Sequence, residues 1–143
     1  MENRLNKLLA NYVVEYHKLQ NYHWYIKGKD FFQVHAKLED IYNGINGAID
    51  ELAENILMIG YKPLASLKDF LEVADIEEAK MENIKSKHIF KEVLKDFDKL
   101  LKDVLEIKKL ADEQESYLIS ALMDDYVKEF SKNIWMINQV IED

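Results

Sequence analysis

Residues 31–59 read FFQVHAKLEDIYNGINGAIDELAENILMI, and the fold is decided in this stretch. Leu38, Ile41, Ile45, Ile49, Leu52, Ile56 and Ile59 recur at steps of three and four, the spacing of one helical face. The spacing predicts one long helix from Phe31 to Ile59. Asp30 stands where a cap belongs, Gly60 can close the end, and Pro63 lies where no long helix would continue. Off the apolar stripe, the same helix carries His35 and Glu39, then Asp50 and Glu54. Each of these pairs is four residues apart, so each projects from one face.

The rest of the chain has the same period. Leu5, Leu8, Leu9, Tyr12, Val13, Tyr16 and Leu19 predict a first helix from about Asn3 to Ile26, broken at Lys27-Gly28-Lys29-Asp30. Ser66 begins a short helix, and the acidic stretch Asp75–Asn83 reads as a loop. A third long helix starts near Ser86 and carries Val93, Leu94, Phe97, Leu100, Leu101, Val104, Leu105 and Ile107 to about Ala111. The fourth covers about Glu113 to Ile141, with Leu118, Ala121, Leu122, Tyr126, Phe130, Ile134, Ile137 and Ile141 facing inward. With one proline and four glycines in 143 residues, little interrupts these helices. The expected fold is all-α: a single domain over residues 1–143, built as a four-helix bundle. The connection between the second and third long helices carries the short helix. It is long enough to cross the bundle, as in ferritin-like folds.

Composition excludes several classes of function. A net charge of −8 argues against a general nucleic-acid surface, which needs clustered cations. The chain has no cysteine, so disulfides and thiolate metal sites are ruled out and any metal must sit on nitrogen and oxygen. Met1–Leu9 has no apolar core of a secretory leader, and no run approaches the ~20 apolar residues of a membrane span. The expectation is a soluble cytoplasmic protein that does not engage membranes.

Spacing constrains the candidate ligands further. With His35 at zero, Glu39, Asp50 and Glu54 lie near 40°, 60° and 100° around the helix, on one arc. Glu39 and Asp50 are nevertheless roughly 16 Å apart along the axis, while metal–ligand bonds are about 2 Å. One helix therefore cannot bring both pairs to one ion. Two antiparallel copies crossing near residues 44–45 can, because His35 then faces Glu54 of the partner subunit and Glu39 faces Asp50 of the partner subunit. A two-fold interface is self-complementary in this way and builds two identical sites. Asn43, Asn46 and Gly47 lie near the crossing and allow close approach. His23 continues the inward stripe of the first helix and completes the set. Two histidines and three carboxylates suit Fe(II), Mn(II) or Zn(II) better than Cu(I). No histidine lies three residues after a glutamate, so the Glu-x-x-His motif of an intrabundle di-iron site is missing.

Asn21-Tyr22-His23-Trp24-Tyr25-Ile26-Lys27-Gly28, with Phe31-Phe32-Gln33-Val34-His35, resembles the signature of the Dps family, the miniferritins. Ile49-Asp50-Glu51-Leu52-Ala53-Glu54, Pro63-Leu64-Ala65-Ser66 and Ile134-Trp135-Met136 also fit, so the resemblance spans nearly the whole chain. It implies a hollow dodecamer with a ferroxidase site across each two-fold interface. Fe(II) is oxidised there, usually with hydrogen peroxide and otherwise with dioxygen, and ferric mineral is stored inside, which limits oxidative damage. By resemblance His23, His35 and Glu39 come from one subunit, and Asp50 and Glu54 from its partner. Trp24 is implied as an electron donor or as interface packing. Asp112, Glu113 and Glu115, near the start of the last helix, are implied as lining a pore for iron entry.

Three departures from the family pattern stand out. Glu39 replaces the commoner Asp, adding a methylene to an oxygen donor. Asn55 stands where Arg often follows Glu54, which removes an intersubunit salt bridge. The stretches Met1-Glu2-Asn3-Arg4 and Ile141-Glu142-Asp143 lack the basic tail of DNA-binding members, so DNA binding is not expected. The competing class is a non-catalytic acidic bundle that serves as an interaction module.

Overall fold

The computed structural model describes residues 1–141 and consists of five helices. They are α1 (Glu2–Tyr25), α2 (Phe31–Met58), α3 (Leu67–Val73), α4 (Ser86–Glu113) and α5 (Tyr117–Ile141). The four long helices form the bundle, and α3 sits in the crossing between α2 and α4. Short corners join α1 to α2 and α4 to α5, so each of these pairs is an antiparallel hairpin. Glu142 and Asp143, part of the expected acidic ending, lie outside the described residues.

The expected stripes form the core. Leu5, Leu8, Leu9, Leu38, Leu52, Ile56, Phe97, Leu100 and Val104 are fully buried. Tyr12 is a hub, edge-on to Tyr126 at 5.5 Å and tilted against Phe130 at 5.9 Å, and Phe97 meets Phe130 at 5.2 Å. Among the described residues, no helix is long and apolar enough to cross a membrane.

Several local expectations need correction. The last helix begins at Tyr117, not Glu113. Its inward face is therefore Ile119, Leu122, Met123, Tyr126, Phe130 and Ile137, while Leu118 and Ala121 are exposed. Leu105 of α4 is also exposed. Ser66 does cap α3, accepting from the Asp69 N–H at 3.2 Å. Asp30 occupies the cap position of α2, but its side chain does not cap. Its carboxylate instead accepts from the Ser86 hydroxyl at 2.6 Å, tying the α1–α2 corner to the start of α4. Gly28 has φ +147°, a conformation open to glycine and strained for side chains.

Asparagines on α1 fasten the crossing segment. Asn6 donates to the Lys62 carbonyl at 3.1 Å and accepts from the Leu64 N–H at 2.8 Å. Asn11, fully buried, accepts from the N–H groups of Asp75 and Ile76. Asn21 donates to the Ala79 carbonyl at 3.3 Å. A segment without its own ladder thus satisfies its backbone from a neighbouring helix, as buried backbone must.

Candidate metal site

The α1–α2 corner sets two histidines face to face. At the end of α1, the Lys27 N–H turns away to the Ile84 carbonyl at 3.0 Å. The His23 carbonyl therefore loses the partner that one more helical turn would supply. His35 Nδ1 takes its place, donating to that carbonyl at 2.7 Å. His23 Nδ1 reciprocates to the His35 carbonyl at 2.6 Å. The rings stack with centroids 3.6 Å apart and planes 12° apart. Phe31 stacks on His35 at 4.8 Å, and Tyr42 meets the His23 ring edge-on at 5.3 Å.

This reciprocal pair of hydrogen bonds orients both rings. A carbonyl only accepts, so each Nδ1 carries a proton, and it is Nε2 that offers a lone pair to a metal. Metal-binding imidazoles are oriented in this way, through a partner on the other ring nitrogen. Glu39 Oε1 lies 3.6 Å from His23 Nε2, too far for a hydrogen bond. His23 is buried while the Glu39 side chain is 54% exposed. This candidate group therefore has one buried ring, His23, one half-buried ring, His35, and an exposed carboxylate, Glu39.

Asp50 and Glu54 form a separate exposed pair further along α2. A hydrogen bond with Asp50, then the like charge of Asp50, raises the Glu54 carboxyl above its ordinary value. Such mutual strain between close carboxylates is relieved by a cation. Among the described residues of one chain, no three His, Asp or Glu side chains converge on an ion. Within one subunit His23 stacks on His35 and lies 3.6 Å from Glu39, but the three do not gather around one ion, and Asp50 and Glu54 stand apart from them.

The remaining candidates are placed as follows. Trp24 points to the surface, 57% exposed, and meets His17 edge-on at 6.0 Å, away from the His23 ring. Asn55 is buried and donates back to the Glu51 carbonyl at 2.8 Å on its own helix. Asp112 and Glu113 lie in the last turn of α4, and Glu115 in the following turn, all before the last helix. The carboxylate of Asp112 accepts from the Ser120 hydroxyl at 2.5 Å and faces Lys108 at 3.7 Å, so it is not a free charge. Beside the half-sites, an apolar groove of about 470 Å³ runs between α1, α2 and α3, lined by Val13, Tyr16, Ile49, Leu67, Phe70 and Leu71. The sequence reading missed this groove, although the exposed Leu67 and Leu71 on so short a helix were its signal.

Comparison with known proteins bears on the family and the fold. Residues 2–143 match the ferritin-like domain. The DNA protection during starvation protein of Helicobacter pylori is 35% identical over 133 residues, which are 93% of this chain and 92% of that one. General stress protein 20U of Bacillus subtilis is 38% identical, covering 93% and 91% of the two chains. The Dps protein of Vibrio cholerae, described as a member of the ferritin-like diiron-carboxylate superfamily, superposes with TM-score 0.94 at 41% identity, covering 98% and 87%.

Proposed function

Because the chain belongs to the Dps family of ferritin-like proteins, we propose that it oxidises Fe(II) at a site shared by two subunits and stores the ferric product in a hollow dodecamer. The observation that carries this reading is the reciprocal histidine lock, which leaves the Nε2 of both rings without a partner from the lock, that of His23 3.6 Å from Glu39, while one chain gathers no complete site among its described residues. Asp50 and Glu54 of the partner subunit supply the missing oxygens. The apolar groove of α1, α2 and α3 gives the second copy a surface to bury.

Iron is the substrate here. His23 and His35 hold it through nitrogen, and Glu39 with Asp50 and Glu54 of the partner subunit offset its charge. Hydrogen peroxide accepts two electrons, so one molecule consumes two ferrous ions. With so few protein donors for two ions, one is held firmly and the other weakly. Dioxygen is the alternative oxidant. Trp24, exposed beside His23 in sequence, serves either as electron donor to the oxidant or as interface packing. Asp112, Glu113 and Glu115 stand at the α4–α5 corner as the acidic lining of an entry route. The protein acts in the cytoplasm, where removing Fe(II) and peroxide together suppresses radical formation.

Two measurements test this. Native mass before and after addition of Fe(II) and peroxide is expected to show twelve subunits and then an iron load. Ferric absorbance is expected to develop in wild type and to be absent in a His23→Ala/Asp50→Ala variant. A non-catalytic bundle would give equal rates in both proteins.

DNA binding is not part of the proposal, although several relatives are named for DNA protection. The chain carries −8, and the exposed lysines of α4 at 87, 91, 95, 102 and 109 are interleaved with Asp98, Glu106 and Glu113. Metal-free protein is expected to leave duplex DNA unretarded in a low-salt gel; tight retardation would overturn this.

A further inference from the structure

Away from the candidate metal site, the seam between α1 and α4 buries three charged side chains. Glu15 is fully buried, and Lys18 and Asp96 are more than nine-tenths buried. Lys18 Nζ lies 2.8 Å from Asp96 Oδ2, yet it makes no aligned hydrogen bond to that oxygen. Both oxygens of Glu15 also lack a partner. Two carboxylates against one ammonium would leave a net negative charge in the interior, which is strongly unfavourable. One added proton removes that charge and lets one carboxyl donate to the other, so the orphaned oxygens and the excess charge have a single remedy.

We propose that Glu15 and Asp96 share one proton and form, with Lys18, a neutral buried triad that locks α1 to α4 and loosens as pH rises. The groups acting on Glu15 are Asp96 and Glu92 from α4 and Lys18 from its own helix. Tyr22, one turn further along α1, is acted on by Glu92, Glu15 and Asp96. A cavity of about 430 Å³ lies on the outer side of the triad. Its walls include Lys18, Tyr22, Glu92, Lys95, Asp96 and Lys99 from the helices, and Asp75, Glu77, Glu78, Lys80 and Glu82 from the crossing segment. The surplus of acid in these walls favours retention of the proton.

Burial first, and then the charge of Asp96, raise the Glu15 carboxyl well above its ordinary value, against the opposing pull of Lys18. The folded chain therefore keeps a proton that the unfolded chain releases near pH 4.5. Stability from this group is complete below that value. It declines as pH rises, until the folded-state carboxyl itself ionises.

The test compares melting temperature against pH for wild type and Glu15→Gln, whose amide cannot ionise and can donate as the protonated acid does. The two are expected to coincide at about pH 4 and to diverge by several degrees at about pH 9, with the variant the more stable. Parallel profiles would overturn the proposal. Should the variant not fold, infrared spectra of wild type decide it. At about pH 8, one protonated carboxyl per subunit is expected, apart from the carboxylate band. Its absence would equally overturn the proposal.

Discussion

Co-assembling His23→Ala subunits with Asp50→Ala subunits in equal amounts is expected to restore about a quarter of wild-type ferrous oxidation, although neither variant alone is active. Each variant by itself lacks one donor at every site. Removing a group that merely supports a ligand already costs about 10–100-fold in metal affinity or activity, and removing a ligand should cost more. In a mixed dimer, one site combines both defects and is dead. The other combines intact His23, His35 and Glu39 with intact Asp50 and Glu54 of the partner subunit. Half of randomly formed dimers are mixed, and each holds one good site of two, giving about a quarter. A site contained within one subunit would show no recovery. Full activity in either single variant would remove that residue from the ligand set.

This expectation was legible in the sequence because it depends only on helical rise. Glu39 and Asp50 cannot meet along one helix, and among the described residues no three such side chains gather to hold an ion. The lock between His23 and His35 was not legible. It depends on the Lys27 N–H bonding to Ile84, a residue more than fifty positions away, which frees the His23 carbonyl. Helix ends divided in the same manner. After α2, the Tyr61 N–H reaches the Ile56 carbonyl and the Gly60 N–H reaches Leu57, a closing turn with glycine in its left-handed position. After α4, the Ser116 N–H reaches Ala111 and the Glu115 N–H reaches Asp112, the same turn with Glu115 at φ +57°. Glycine marks the first stop. At the second, apolar period alone ends α4 near Ala111, and with no glycine to mark the turn through Glu115 the sequence starts the last helix at Glu113, four residues before Tyr117, with Leu118 and Ala121 facing inward.

Polar residues inside the bundle were the other blind spot. Apolar periodicity marks Leu5, Leu8 and Leu9 on α1 and passes over Asn11, Glu15 and Lys18, which are as deeply buried. Their burial is set by the crossing segment and by α4, elements remote in sequence.

Asn11→Ala is accordingly expected to cost about 1–3 kcal/mol of stability, more than the exposed charge changes nearby. Asn11 Oδ1 accepts from the Asp75 N–H at 2.8 Å and the Ile76 N–H at 3.1 Å. Alanine leaves both donors without a partner; the orphaned N–H of buried Ile76 costs about 1–3 kcal/mol, while that of exposed Asp75 can turn to water. Part of this is offset, because Asn11 Nδ2 is itself buried without a partner and is removed as well. Asp75 is also held by Lys7 at 3.2 Å and Lys99 at 3.0 Å, but these pairs are partly exposed. Exposed pairs contribute about 0–1 kcal/mol, so Lys7→Ala should fall well short of Asn11→Ala. Urea midpoints at constant slope measure both changes. Amide exchange at Asp75 and Ile76 should accelerate in Asn11→Ala before the α1–α2 core responds. If Lys7→Ala matched Asn11→Ala, surface charge and not the buried amide would be holding the crossing segment to α1.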